Sequence, residues 1–302
     1  FFFSFFFFSF FFFSFFFFYL SSFSLIFPGK MHVVDSFVNG TPGTRQFLEY
    51  FSGGIMNSAT TAVCAMELIM SVCNASSTMA KGDSYIYTGN PSEVALSLFV
   101  EENRKGRVHA LRAEYPTQFQ IPFNSTNKFH VVVVAGQIPS LSSLYDSVCN
   151  KDTPHSGTCM MKGAPEVLIT RCTHVLHDGE IHLLDEKDQR IILEAYNQFA
   201  RRGQRVLGFC FKPLGLPDNF ASMSHQEKDR WVPLSDMIFA GLVSIMDPPR
   251  DDVPKALQQC FSASIRVAMV TGDHPTTASS IAQQIGPNWT DSGSHEVNEI
   301  ID

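Results

Sequence analysis

Positive charge is scarce in this chain. Its 22 lysines and arginines are outnumbered by 29 aspartates and glutamates, and they nowhere gather into a stripe that could track a phosphate backbone. With a formal charge of −7, nucleic acid is excluded as a partner. The seven cysteines are odd in number, scattered and free of CxxC spacing, so they read as reduced thiols in a cytosolic compartment. His174, His177 and His182 lie near one another, but no cysteine or carboxylate at ligand spacing completes a tetrahedral set, and no metal site is assigned. A GxxxxGK[ST] phosphate loop is also absent.

One residue type is in excess. Seventeen of the 30 phenylalanines fall in Phe1–Phe27, with Ser4, Ser9 and Ser14 at every fifth position, a pattern that fits neither helix nor strand. The segment is apolar and long enough for a membrane span, yet it has neither the basic start nor the cleavage site of a targeting sequence. A translated simple repeat, a span and an atypical targeting segment all stay open. Residues 1–40 are therefore set apart as low complexity, and the remainder, at 302 residues in all, can hold one large or two modest domains.

The informative stretch is Met161-Lys162-Gly163-Ala164-Pro165-Glu166. The apolar run Thr158–Met161 suits a buried strand, and Ala164–Cys172 has helical spacing with Pro165 at an early position, where proline is tolerated. Gly163 lets a ligand approach the backbone, a helix start offers unpaired N–H groups, and Lys162 adds a positive charge. This corner is either a phosphate or nucleotide site or a plain strand-turn-helix junction with a solvated lysine.

Periodicity supplies the surroundings. Apolar spacing predicts a helix over the span from Gln46 to Cys73, and Asn90-Pro91 opens a second helix whose first turn carries Glu93. The β-branched run after Phe129 reads as a central strand, and Gln137–Ser156 as a long serine-rich loop. An amphipathic helix is expected over Leu184–Arg202, stopping at Gly203. A strand follows from Arg205, then a polar loop over Pro213–Pro233 and a strand over Met237–Ile245. Last comes a helix over Val253–Phe261, a strand over Ile265–Val270, a loop, and a helix over Thr276–Ile285.

Five stretches in order resemble the cytoplasmic motifs of P-type cation pumps, most closely the sodium/potassium and proton/potassium catalytic subunits. They are Pro122-Phe123-Asn124-Ser125-Thr126-Asn127-Lys128, the Lys162 hexapeptide, Arg205-Val206-Leu207-Gly208-Phe209, Asp247-Pro248-Pro249-Arg250 and Met269-Val270-Thr271-Gly272-Asp273-His274-Pro275. The resemblance implies an α/β chain. Residues 41–240 would form an α+β nucleotide-binding domain with a central antiparallel sheet, and residues 241–302 part of a parallel-sheet, haloacid-dehalogenase-like phosphorylation domain. It also implies site roles. Phe123 would stack on adenine, Lys128 line the same pocket and Glu93 stand at its mouth, with Lys162 and Gly163 at the corner and Arg205 on the phosphates. Asp247, Pro248, Pro249 and Arg250 would form the interdomain hinge, and Thr271, Gly272 and Asp273 a loop facing the phosphoryl centre. Asn90 stands where the family usually has aspartate.

By the same resemblance the ligand is ATP, with magnesium in the full-length family member. The partners are the rest of the pump with its membrane helices and an accessory beta subunit. The parent pump would lie in the plasma membrane, with this region cytosolic. The family's covalent route runs through an aspartate in DKTGT, and that sequence does not occur in these 302 residues. The expectation is therefore an ATP-binding part of a pump without its catalytic acceptor. A free-standing or degenerate nucleotide-binding module is the alternative, and a small phosphatase, which would need a DxD or DxT aspartate, the third. Lys162, taken to sit among other positive groups, is expected to be the chain's most reactive lysine.

Overall fold

The computed structural model describes residues 31–43, 61–82, 84–136, 138–141, 144, 155–246 and 252–265, with isolated positions at 267, 269, 282, 285 and 286. In chain order, the first elements are β1 (His32–Val38), β2 (Thr41–Pro42), α1 (Thr61–Val72), β3 (Ser77–Lys81), β4 (Ser84–Thr88), α2 (Pro91–Asn103) and α3 (Arg107–Glu114). Then come β5 (Thr117–Ile121), β6 (Phe129–Ala135), β7 (Gly157–Gly163), α4 (Pro165–Ile169), β8 (Cys172–His177), β9 (Glu180–Leu183) and α5 (Glu186–Arg201). The last are β10 (Arg205–Leu214), α6 (His225–Trp231), β11 (Met237–Met246) and α7 (Val253–Ser262).

Nine strands join in one sheet, with the path β2-β1-β11-β10-β7-β6-β5 and β8 and β9 branching from β11. All pairings in it are antiparallel except β8 with β11, so the expected central antiparallel sheet is present. Strand β11 is flanked by β10 along one edge. Its other edge is shared end to end, by β8 at Met237–Phe239 and by β1 at Leu242–Met246.

Alternation along the strands splits the apolar residues into two cores, because successive side chains point to opposite faces. Val132, Val134, Met160, Phe209 and Phe211 pack with α1, α2 and α3 on one face. Val131, Val133, Cys159, Met161 and Cys210 pack with α4 and α5 on the other. The result is helix, sheet, helix. Helix α1 is buried nearly all round, including Glu67, whose carboxylate is met by Arg104 at 3.7 Å and Arg107 at 3.5 Å. A charge taken out of water needs such partners.

The chain's punctuation explains several element ends. Asn90 caps α2, its side chain accepting from the Ser92 N–H at 3.0 Å. Asp185 caps α5 in the same way, accepting from the Asp188 N–H at 2.8 Å, and Gly203, with φ of 75°, stops it.

Several boundaries differ from those expected. The sheet reaches beyond residues 41–240 at both ends: β1 belongs to it, and β11 runs through to Met246. The segment Gly40-Thr41-Pro42-Gly43 contributes the short strand β2 after a tight Asn39-Gly40 turn in which both residues have positive φ. Within the expected loop Pro213–Pro233 the strand continues to Leu214, and Ser224 and Glu227 form a reciprocal capping box that starts α6. The first part of the helix expected from Gln46, most of the serine-rich loop, and, but for isolated positions, the strand, loop and helix expected after α7 lie outside the described residues. Among the described residues, no helix is long and apolar enough to cross a membrane.

Candidate functional site

The site is built on the face of the sheet that carries α1 and α2. Lys162 is two residues beyond Met160 on β7, so it shares that residue's face, and it pairs across the sheet with His130 on β6 and Phe209 on β10. At the end of α1 the chain turns and presents the Cys73 carbonyl, which accepts a hydrogen bond from Lys162 Nζ. Glu93, in the first turn of α2, supplies the countercharge: its Oε2 lies 2.5 Å from Lys162 Nζ and accepts the Ala75 N–H at 3.2 Å. Asn74 ties these pieces together, donating from Nδ2 to the Met70 carbonyl at 2.8 Å and the Glu93 carbonyl at 2.9 Å.

Lys162 is only 3% exposed, and its surroundings are a carboxylate, a carbonyl and an imidazole rather than other cations. The expectation of an unusually reactive amine among positive groups is therefore corrected. The lysine is a buried, fully engaged strut. Burial pushes the neighbouring Cys73 thiol up to about 12, and it donates to the His130 carbonyl at 3.5 Å, so this cysteine is an inert packing group.

Arg205 begins β10 on the same face and is exposed, with Nη1 donating to Ser92 Oγ at 2.8 Å, one residue from Glu93. A guanidinium held by one terminal nitrogen and otherwise exposed can still turn donors to phosphate oxygens. Phe123 and Lys128 lie on the loop into β6. Phe123 is 57% exposed, an unusual cost for an aromatic ring with no role at the surface. Lys128 has φ of 59°, its carbonyl accepts the Ala164 N–H at 3.0 Å, and its ammonium lies 3.9 Å from Glu166.

Gly163 has a local reason. It sits opposite Phe129 on β6 and Gly208 on β10, and a Cβ there would come within 2.7 Å of the Phe129 Cα and closer still to the Lys128 carbonyl oxygen. Close strand approach is by itself a sufficient reason for glycine at this position. The N-terminus of α4 begins at Pro165 and the helix is five residues long, so it supplies little of the dipole expected of the corner.

The structure thus brings Glu93, Lys162 and Arg205 to one face, and ties Lys128 to the end of β7. Asp247, Pro248, Pro249, Arg250, Thr271, Gly272 and Asp273 lie outside the described residues. His130 is a site neighbour that sequence reasoning absorbed into a β-branched run; a lone polar ring inside HVVVV was the signal available. Of the three clustered histidines, His174 hydrogen-bonds Thr173 Oγ1 at 2.9 Å and His177 the Asn39 carbonyl at 2.8 Å. Among the described residues, no three His, Cys, Asp or Glu side chains gather as metal ligands would.

Comparison with known sequences gives the class and family of this helix–sheet–helix domain. The family described as P-type ATPase, cytoplasmic domain N, matches residues 63–252, and the chain belongs to it. It is 39% identical over 200 residues to the sodium/potassium-transporting ATPase subunit alpha-4 of Rattus norvegicus, covering 66% of this chain and 18% of that protein. It is 36% identical over 241 residues to the potassium-transporting ATPase alpha chain 1 of Xenopus laevis, covering 78% of this chain and 22% of that one. The sodium/potassium-transporting ATPase subunit alpha of Hydra vulgaris is 39% identical over 202 residues. The chain spans about a fifth of the length of these relatives.

Proposed function

We propose that this chain binds ATP on the Lys162 face, as the nucleotide-binding part of a sodium/potassium-type cation pump. The observation that carries the reading is the convergence of Glu93, Lys162 and Arg205, from three distant stretches, beside a loop that exposes Phe123. Adenine stacks on Phe123, with Lys128 beside it; Glu93 and Lys162 form the pocket wall; Arg205 takes the phosphates. Magnesium arrives with the nucleotide. The residues after β11 belong to the phosphorylation domain, with Asp247–Arg250 as the hinge and Thr271, Gly272 and Asp273 at the phosphoryl centre. In the assembled pump, membrane helices and a beta subunit complete a plasma-membrane transporter that couples ATP hydrolysis to cation movement.

The absence of DKTGT favours a second reading for the chain taken alone: a nucleotide-binding module without turnover. Titrating ATP into the labelled protein tests the shared core of both. Resonances of Phe123, Lys162 and Arg205 are expected to shift, Phe123→Ala to abolish most of the effect, and Arg205→Ala to weaken ATP about tenfold while leaving adenosine nearly unchanged. No shift at millimolar ATP defeats the proposal.

A further inference from the structure

We propose that Arg112, on α3, is a positioning residue of the nucleotide site: by satisfying the end of α1, it frees the Ala75 N–H to hold Glu93 in place. The inference rests on the nucleotide reading above and deepens it. Helix α1 ends at Val72 and β3 begins at Ser77, so residues 73–76 form the turn between them. Were the helix to run one turn further, the Ala75 N–H would bond the Ser71 carbonyl, by the ordinary helical spacing. Here it bonds Glu93 Oε2 at 3.2 Å instead, and Arg112 Nε donates to the Ser71 carbonyl at 2.8 Å. One donor has been exchanged for another, and Glu93 receives the one set free.

The rest of the guanidinium fixes the far side of the same turn. Nη1 donates to the Ser76 carbonyl and to Thr78 Oγ1, each at 2.8 Å, and Nη2 to Ser76 Oγ at 3.0 Å. That hydroxyl lies 2.9 Å from Ser97 Oγ, which ties the clamp to α2, the helix that carries Glu93. Helix α1 has no basic residue in its own last turn, so Arg112 also brings a cation to the negative end of its dipole. A lysine could supply the charge but not three nitrogens in a fixed plane. Between the two clamped ends, the turn gives the site the Cys73 carbonyl, which accepts from Lys162, and the Asn74 side chain, which holds the Glu93 carbonyl at 2.9 Å. Arg112 acts on the ligand only through these groups.

The experiment uses the full chain. Arg112→Lys is expected to weaken ATP about fivefold and to move the Ala75 amide proton upfield, as that N–H leaves the carboxylate for the helix end. Val108→Ala, which removes buried carbon from the same helix, is expected to lower the unfolding midpoint while leaving both readouts as in the parent. Ser76→Ala, which removes only the hydroxyl shared by Arg112 and Ser97, is expected to shift both readouts in the same direction as Arg112→Lys, with ATP weakened about twofold. It decides the matter if Arg112→Lys does not fold. An ATP affinity or an Ala75 signal that stays put in these variants, or that moves as far in Val108→Ala, overturns the inference and leaves nucleotide binding standing. Silence of Phe123 and Arg205 in the parent at millimolar ATP overturns both.

Discussion

Lys162 and Glu93, 69 residues apart in the chain, close an ion pair of 2.5 Å in which both side chains are largely shielded from water. The pair joins the sheet to α2, and the Cys73 carbonyl on the same ammonium joins it to α1. Its members are useful only together.

Removing one member should therefore cost more than removing both. Lys162→Met is expected to lose about 3–5 kcal/mol of stability by stranding the Glu93 charge, and Lys162→Met with Glu93→Gln to recover a large part of it. Urea unfolding of the three proteins measures this. A double variant no more stable than Lys162→Met would show that packing, not charge, dominates.

Acidification should weaken the domain through His130. In the unfolded chain its imidazole takes a proton near its ordinary 6.5; in the folded one burial and Lys162 hold this off to about 4, with the Glu93 carboxylate pulling the other way. Between those values the unfolded state binds more protons, so stability is full above pH 6.5 and falls as pH drops toward 4, by at most about 3 kcal/mol. Unfolding curves at a series of pH values should show the slope, and His130→Gln should flatten it.

Gly163→Ala should fail for a reason unrelated to nucleotide. The added carbon would meet backbone on β6, at the Lys128 carbonyl and the Phe129 Cα, and backbone cannot swing aside as a side chain can. A loss of about 2–3 kcal/mol is expected in denaturant, before any ligand is added. A variant as stable as the parent but impaired in binding would instead return the glycine to the ligand.

Without the DKTGT aspartate, the chain should bind but not react. Incubation with γ-labelled ATP and magnesium, followed by an acid quench, is expected to leave no label on protein. Stoichiometric label on any aspartate would mean that the chain holds its own nucleophile.

The strands with unbroken apolar runs, β6, β7 and β11, and the amphipathic α5 were legible in the sequence, because burial on both faces or on one stripe leaves an unmistakable pattern. Strand β1 was not: HVVDSFV mixes polar and apolar positions and abuts the phenylalanine-rich stretch, and only its pairing with β11 defines it. Helix α6 buries none of its residues, so periodicity had nothing to report; the Ser224–Glu227 capping box was the available sign. At the site, the individual motifs could be read, but partnership could not. That Lys162 meets Glu93 and His130 depends on strand register and on how α2 lies over the sheet, neither of which a linear motif encodes.

Strand β1 enters the sheet with His32 opposite Met246, where β11 leaves it, so the chain comes and goes side by side along one antiparallel pair. A pull on the two flanks would load the hydrogen bonds of that pair one after another, as in unzipping, instead of all at once. Under such a load the pair would open first at His32 and Met246, with Phe37 and Leu242 the last to part.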